Sequence, residues 1–518
     1  MTMKRRHFLK NMAAGGIAPY FMGGLPISAF GQLNETALGD DKVLVVIQMA
    51  GGNDGLNTLI PVDQYSRYQS ARKNIAIPEN KLLSIPQSDK LGIHPSLEKI
   101  TQLFEEGKGT IIQDVGYPDP DFSHFRSTDI WNTASDSDKH VLSGWAGRYL
   151  SIENPDYPNG YPNTNHPDPL SIQIGSVLNT SLQGPVYPMG MAIADPNFFY
   201  ELIAETPVAT TSTYAEKELA FLKQVANQTN QYSGVIRDAG QKISNQSGYP
   251  DESLANQLKI VAKLIAGGLR TKFYFVQIGG FDTHDNQVQN GDVTKGEHAE
   301  LLQKLSEAVF AFTRDLEKQG ISEPVLTMTY SEFGRRIRSN ASLGTDHGAA
   351  APMFLFGSHV NSKVFGENPI LPENPQTEDN VPMQHDFRSV YASVLERWFC
   401  LDTGSVSEVM LKSFQSLPLI QGGPCGFITA NEPQPEILFK AYPNPFEDFL
   451  NIEFESKGGY NYVQVFNSRG QQIEIPVSAD YPKGMQNAVL KTSRWPKGMY
   501  FLRWQNALEQ KVIRVIKI

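Results

Sequence analysis

The chain is poor in cysteine, in long apolar runs and in positive charge. Two cysteines, Cys400 and Cys425, occur in 518 residues. That excludes a disulfide-dense scaffold and any all-cysteine metal cluster. No internal stretch of 18 or more apolar residues occurs, so no spanning helix is expected in the mature chain. Acidic residues outnumber basic ones by 55 to 45, for a net charge of −10. Such a chain carries no electrostatic footprint for nucleic acid. What it does have is length, enough for a large buried core and an accessory module. With 40% hydrophobic and 19% charged residues, its composition is that of a folded chain.

The two ends differ from the middle. Lys4-Arg5-Arg6-His7-Phe8-Leu9-Lys10 precedes a weakly apolar, glycine-containing run that ends near Ala29-Phe30-Gly31. A charged start, a mild apolar middle and a small-residue end read as a removable export signal over residues 1–31. The paired arginines resemble a twin-arginine signal, which implies the twin-arginine machinery as a partner. Removal takes four basic residues and no acid, so the net charge falls from −10 to −14.

A Gly/Pro-rich stretch over 426–436 reads as a linker. Beyond it, Leu450, Ile452 and Phe454 alternate with Asn451, Glu453 and Glu455. Further short alternating runs separated by turns predict a small β-sandwich over 437–518. Tyr442-Pro-Asn-Pro-Phe446, Pro496-Lys-Gly-Met-Tyr500 and the basic-apolar last strand resemble the C-terminal sorting domain of type IX secretion. That resemblance implies the type IX machinery as a partner, passage through the periplasm, and a final place at the cell surface or outside the cell.

The middle, residues 40–425, alternates apolar runs with helical patterns. Val43–Ile47, Lys272–Ile278, Val325–Thr329 and Pro352–Gly357 read as buried strands. Helical spacing covers 97–104, 215–225, 253–269, 298–317 and 387–399. The expected fold class is α/β, a mostly parallel sheet flanked by helices. Sites in such sheets lie beyond the carboxyl ends of the strands. Four segments meet that condition: Asn53-Asp54, Gly279-Gly-Phe-Asp-Thr-His284, Ser331-Glu332 and Thr345-Asp-His347.

Asp282 and His284 are two apart, so an extended backbone points both to one side. With His347 they make a His-His-carboxylate set suited to zinc, iron or manganese. Asp54 and Glu332 are oxygen donors suited to a second, harder cation such as calcium. Ser123 stands where a helix begins, and reads both as a helix cap and as a nucleophile. Arg126, one turn on, can grip an anionic oxygen. His124 reads as a supporting group, His94 and His298 as structural, and Trp131 and Trp145 as packing. Arg335, Arg336 and Arg338 read equally as a surface that attracts anions and as a solvated face. Cys400 and Cys425 can pair in an exported chain.

Gln48–Asn57, Ser123-His-Phe-Arg126, Gly279–His284, Ser331–Arg335, Thr345–Gly348 and His385–Tyr391 together resemble the domain-of-unknown-function 1501 branch of the alkaline phosphatase and sulfatase superfamily. The resemblance implies an alkaline-phosphatase-like sheet and a metal-dependent hydrolase of phosphate or related anionic esters, acting on a small molecule or a polymer. It places Asp54 at a metal carboxylate, Ser123 at the nucleophile, and Asp282, His284 and His347 at one metal. Ser331-Glu332 replaces the usual Asp-His pair. This departure supports the alternative, a non-catalytic surface binder of a partner or glycan on the same scaffold. No cysteine stands near Ser123, so a formylglycine made from cysteine is excluded.

Overall fold

Val43–Ala50 (β1) is apolar at every position but Gln48, and both of its faces are buried. Val43, Val45, Ile47 and Met49 enter one core, and Leu44 and Val46 enter a second. A strand covered on both sides belongs inside a parallel sheet. The structure is a computed structural model. It describes residues 42–195, 230–421, 425, 439–456, 458–467, 472–505 and 510–518. The leader over 1–31, the helix expected over 215–225 and the linker over 426–436 lie outside these residues.

The main sheet is built from β1, Gly109–Gly116 (β2), Ser171–Ile174 (β3), Met191–Ile193 (β4), Phe273–Gly279 (β5) and Val325–Tyr330 (β6). Arg335–Ser339 (β7) and Thr345–His347 (β8) form a separate antiparallel ribbon. Ala351–Phe356 (β9), Val364–Phe365 (β10) and His385–Asp386 (β11) return to the main sheet. Its order is β10-β2-β9-β6-β1-β5-β3-β4, with β11 also beside β2. Strand β9 runs antiparallel to β2 and β6, while the other pairings are parallel. The beginning of β9 therefore lies at the carboxyl ends of its neighbours. The ribbon β7–β8, which leads into β9, is delivered to the rim where sites in such sheets form.

Helices cover both faces. His124–Thr133 (α1) and Phe387–Arg397 (α4) bury Ile130, Trp131, Val390, Tyr391 and Val394 on one side. Ser253–Ala266 (α2) and Glu297–Lys318 (α3) bury Leu254, Leu258, Val261, Leu302, Leu305 and Val309 on the other. The spacing of these residues forms one apolar stripe per helix. Side chains fix two helix starts: Glu252 accepts from the Ala255 N–H at 2.8 Å, and Asp386 accepts from the Arg388 N–H at 3.0 Å. Trp131 stacks on Phe387 with centroids 4.3 Å apart, so it packs as expected. Cys400 and Cys425 form a disulfide with Cα atoms 5.2 Å apart.

Residues Ile428–Ile518 form a second compact unit. Its strands are Phe439–Tyr442 (β12), Phe449–Ser456 (β13), Gly459–Asn467 (β14), Gln472–Tyr481 (β15), Gly484–Lys491 (β16), Gly498–Gln505 (β17) and Gln510–Lys517 (β18). They make two antiparallel sheets, β12-β13-β16 and β15-β14-β17-β18. Leu450, Ile452 and Phe454 point into a shared core with Val463, Val465, Leu502 and Trp504. The alternation in the sequence thus becomes the inner face of a sandwich.

One irregularity in the main sheet has an electrostatic consequence. Between the pairs Ala351↔Val115 and Met353↔Ile112, Pro352 faces both Gln113 and Asp114. Proline has no N–H for the ladder, and the extra residue forms a bulge. Asp114 takes up the distortion with φ of 49° and is 7% exposed. Burial pushes its pKa up to about 7, against a hydrogen bond from Gln384. The folded carboxyl holds its proton more tightly than the unfolded one. This stabilisation is complete below about pH 4 and is lost as pH rises through 7. Asp114→Asn keeps an acceptor for Gln384 and tolerates the left-handed backbone. The variant is expected to melt above the parent at pH 8, by an amount worth roughly 4 kcal/mol at most, and to match it at pH 4. Melting curves across this range check the sign.

Candidate metal centre

Three strand ends and the ribbon meet at the carboxyl rim, and one side chain joins them. Arg335 is 1% exposed. It donates to the carbonyls of Gly51, of Gly52 at 2.7 Å, of Phe281 at 3.0 Å and of Thr345 at 2.8 Å, and to Asp282 Oδ1 at 2.7 Å. The loops after β1 and β5 and the start of β8 are thereby fixed to the start of β7. The turn after β1 allows no side chain. A Cβ on Gly51 would lie 2.4 Å from the Asp282 nitrogen, and one on Gly52 would lie 2.3 Å from the Phe333 ring. Both residues have positive φ, 122° and 82°, which favours glycine.

Three histidines surround Asp282, and each is held from behind. His124 Nδ1 lies 2.9 Å from Glu332 Oε1, His347 Nδ1 lies 2.8 Å from the Phe122 carbonyl, and His284 Nδ1 lies 3.1 Å from Asp346 Oδ1. Those partners are acceptors, which favours the hydrogen on each Nδ1 and frees each Nε2 to act as a ligand. The Nε2 atoms face inward. His284 and His347 bring theirs within 2.9 Å of each other. His347 Nε2 is 3.1 Å from Asp282 Oδ1. His124 Nε2 is 3.4 Å from Asp282 Oδ2, buried and without a hydrogen-bond partner. The ring of Phe333 lies against both His124 and His347, with centroids 4.9 and 4.6 Å away.

Lone pairs and a carboxylate crowded in this way repel one another unless a cation lies among them. Donor atoms of His124, Asp282 and His347 all fall within 4.8 Å of one another. Nitrogen and carboxylate donors backed by hydrogen-bonded partners suit a divalent ion such as zinc, manganese or iron. Burial would raise the Asp282 pKa, but the Arg335 hydrogen bond and charge act against it and the pKa is held down at about 2, which keeps it anionic. The Glu332 hydrogen bond raises the His124 pKa, so proton and cation compete for that ring.

Residues 41–408 match the family model described as a protein of unknown function, DUF1501. The chain belongs to the DUF1501 family. Residues 440–518 match the secretion system C-terminal sorting domain, which marks the DUF1501 chain for export to the cell surface or the extracellular space. No helix among the described residues is long and apolar enough to cross a membrane. No curated protein matches. Among solved structures, the chain is similar to an alkaline phosphatase superfamily protein from Vibrio parahaemolyticus at 8% identity; 80% of this chain and 75% of that one are covered, with a TM-score of 0.29. It is similar to the PsFucS1 sulfatase from Pseudoalteromonas sp. at 11% identity, covering 90% and 86%, with a TM-score of 0.30. It is also similar to PorZ, a surface component of the type IX secretion system of Porphyromonas gingivalis, at 18% identity and a TM-score of 0.12. That match covers 15% of this chain and 11% of PorZ.

Of the residues singled out in the DUF1501 sequence, Asp282, His284 and His347 come together. Asp54 does not join them. Its Oδ2 accepts from Arg72 Nη1 and Gln287 Nε2, both at 2.5 Å. The side chains of Asp54 and Arg72 are fully buried. Burial raises the Asp54 pKa, but nearby positive charge, chiefly Arg72, and the hydrogen bonds from Arg72 and Gln287 together outweigh it and lower the pKa. Asp54 is therefore a buried ion-pair partner, corrected from a cation ligand. Glu332 is corrected similarly: its Oε1 accepts from the Gly51 N–H at 2.8 Å and holds His124. Among the described residues, His124, Asp282 and His347 form the one close group of such donors; Asp54 Oδ1 and Glu332 Oε2 stand outside it, buried without a hydrogen-bond partner.

Ser123 begins α1, but its hydroxyl makes no cap bond. Arg126 turns away, donating to Asp129 and to the carbonyls of Asp136, Ser137 and Lys139. It is a loop anchor, corrected from an anion clamp. Arg335 is corrected from a surface charge to the buried tie described above.

His124 is the ligand-class residue that sequence reasoning undervalued. Its signal was its place directly after a Pro/Asp-rich turn at a helix start. His298 is structural as expected, with Nε2 3.0 Å from Asn53 Oδ1. Removing one partner of the Asp54–Arg72 pair strands a buried charge. Asp54→Ala is expected to cost about 3–5 kcal/mol, read from urea unfolding, and Asp54→Leu with Arg72→Met to recover most of it.

Proposed function

We propose that the DUF1501 domain is a metal-dependent hydrolase of phosphate or related anionic esters. The observation that carries this reading is the convergence of three Nε2 atoms on an ionised Asp282. In it, His124, Asp282 and His347 hold a divalent cation, with His284 beside them. A cation there supplies Lewis-acid polarisation of the ester. Arg335 keeps Asp282 ionised and fixes its direction. Glu332, the Phe122 carbonyl and Asp346 orient the three rings. Ser123 stands between Phe122, whose carbonyl holds His347, and His124 itself. Its hydroxyl is exposed and free of capping, and its role is the attacking oxygen. With Arg126 engaged elsewhere, the first-turn N–H groups of α1 and the cation are the positive ends left for the anion. Export begins with the Arg5-Arg6 leader and ends with the sorting domain.

A second reading has one observation in its favour. Asp54 and Glu332 stand outside the close donor group, as a surface binder on the same scaffold would allow. One experiment separates the two. The exported chain is analysed for bound metal and assayed on aryl phosphate, phosphodiester and sulfate. Asp282→Ala is expected to lose most of the bound metal and at least about 100-fold in rate. Ser123→Ala should keep the metal and lose the rate. A protein that stays inert after addition of zinc, manganese, calcium or iron identifies the binder instead.

A further inference from the structure

A second feature lies on the other flank of β5. Strand β3 pairs with β5 only through Ser171–Gln173, opposite Phe273–Phe275. Strand β5 continues to Gly279, pairing there with Ala50 of β1. Strand β3 instead turns off at Gly175, where φ is 148°. The early departure opens a cleft of about 480 Å³ beside the last turn of β5. Its lining includes Gln173, Ser176, Val177, Ser253, Gln257 and Gln277, and among the described residues it contains no ionisable side chain. Gly279 borders the cleft and stands three residues before Asp282. Three residues of chain span at most about 11 Å, so cleft and cluster share one strand end.

The lining selects by chemistry. An anion finds no opposite charge here, and the apolar side chains Ile174, Val177 and Ala194 are interspersed with amides and hydroxyls, so the lining is amphipathic. An extended peptide would need an open strand edge. That edge is closed: Gln257 Nε2 donates to the Gln277 carbonyl at 2.8 Å, and the Gln277 N–H donates to Gln257 Oε1 at 2.9 Å. The Gln277 side chain itself stays exposed. Gln173, 7% exposed, leaves its Oε1 without a hydrogen-bond partner. Amides and hydroxyls offer donors and acceptors together, which suits vicinal hydroxyl groups, and the Val177 methyls suit the C–H face of a sugar ring.

We infer that this cleft binds the neutral, polyhydroxylated part of the substrate, a glycan, and leaves its anionic ester group at the rim cluster. The inference rests on the ester-hydrolase reading and names the alcohol side of that ester. The test is calorimetric titration of the exported full chain with cellohexaose, laminarihexaose and maltohexaose, and with their O-sulfated and O-phosphorylated forms.

At least one neutral hexasaccharide is expected to bind. Gln277→Trp, built on an exposed side chain, should fill the cleft and weaken that binding at least tenfold while bound metal stays unchanged. Absence of binding to all the sugars overturns the inference, and so does binding that Gln277→Trp leaves intact. Uptake of a casein peptide pool that Gln277→Trp abolishes, without sugar binding, overturns it in favour of a peptide. Neutral sugar binding by a chain that takes up no metal upholds the cleft and sinks the hydrolase reading.

Discussion

The rim depends on a guanidinium with nowhere to go. Arg335 is buried, and a buried arginine must find acceptors for five N–H groups. It finds four carbonyls and one carboxylate, drawn from three separate loops. Each loop then has one conformation in which its carbonyl meets the arginine. The glycines after β1 follow from this, since a side chain there would push Gly51 and Gly52 off their bonds. Asp282 is the one charged acceptor in the set, so the same contact that organises the loops also sets the carboxylate. Loop geometry and site charge have a common origin.

Below this layer lies a polar foundation that adds no free charge. Asp54 meets Arg72, and Asn53 links His298 to the strand ends through its backbone bond to Ser331 Oγ at 2.9 Å. Ser331 in turn donates to the Met49 carbonyl at 2.7 Å. Burial lowers the pKa of His298 to about 4 and that of His94 to about 3. Both are neutral at ordinary pH, so the rings under the rim do not oppose a cation above it. Neutral histidines below and metal-competent histidines above differ in what surrounds them, not in residue type.

Part of the fold was legible because β1, β5, β6 and β9 carry long, mainly apolar runs, whereas Gln113 and Asp114 interrupt β2, and β3 and β4 are too short to stand out. Asp282, His284 and His347 were legible because glycine-flanked donors after such strands are rarely idle. Asp54 misled because its partner, Arg72, lies in the turn after a short helix with no motif of its own. Arg335 misled because it stands beside Arg336 and Arg338. Strand alternation separates them: Arg335 and Ile337 point inward, while Arg338 is exposed. That alternation becomes informative once β7 is known to be a strand. His124 finds Glu332 across 208 residues, a contact that no local pattern carries. The irregular β9 was readable as a strand, but its reversed direction is a property of the sheet and not of the segment.

The disulfide acquires a further meaning from where the chain enters and leaves the first unit. Lys42, just ahead of β1, is 2% exposed, and its Nζ lies 2.7 Å from Cys400 Sγ. Trp398 donates to the Val43 carbonyl at 3.2 Å. Cys425, two residues before the end of that unit at Phe427, is covalently bound to the same place. Entry and exit are thus moored together. A pull on the chain beyond Cys425 would therefore load the covalent link at Cys400 before it loaded the sheet, whereas a pull ahead of Lys42 would act on β1 directly.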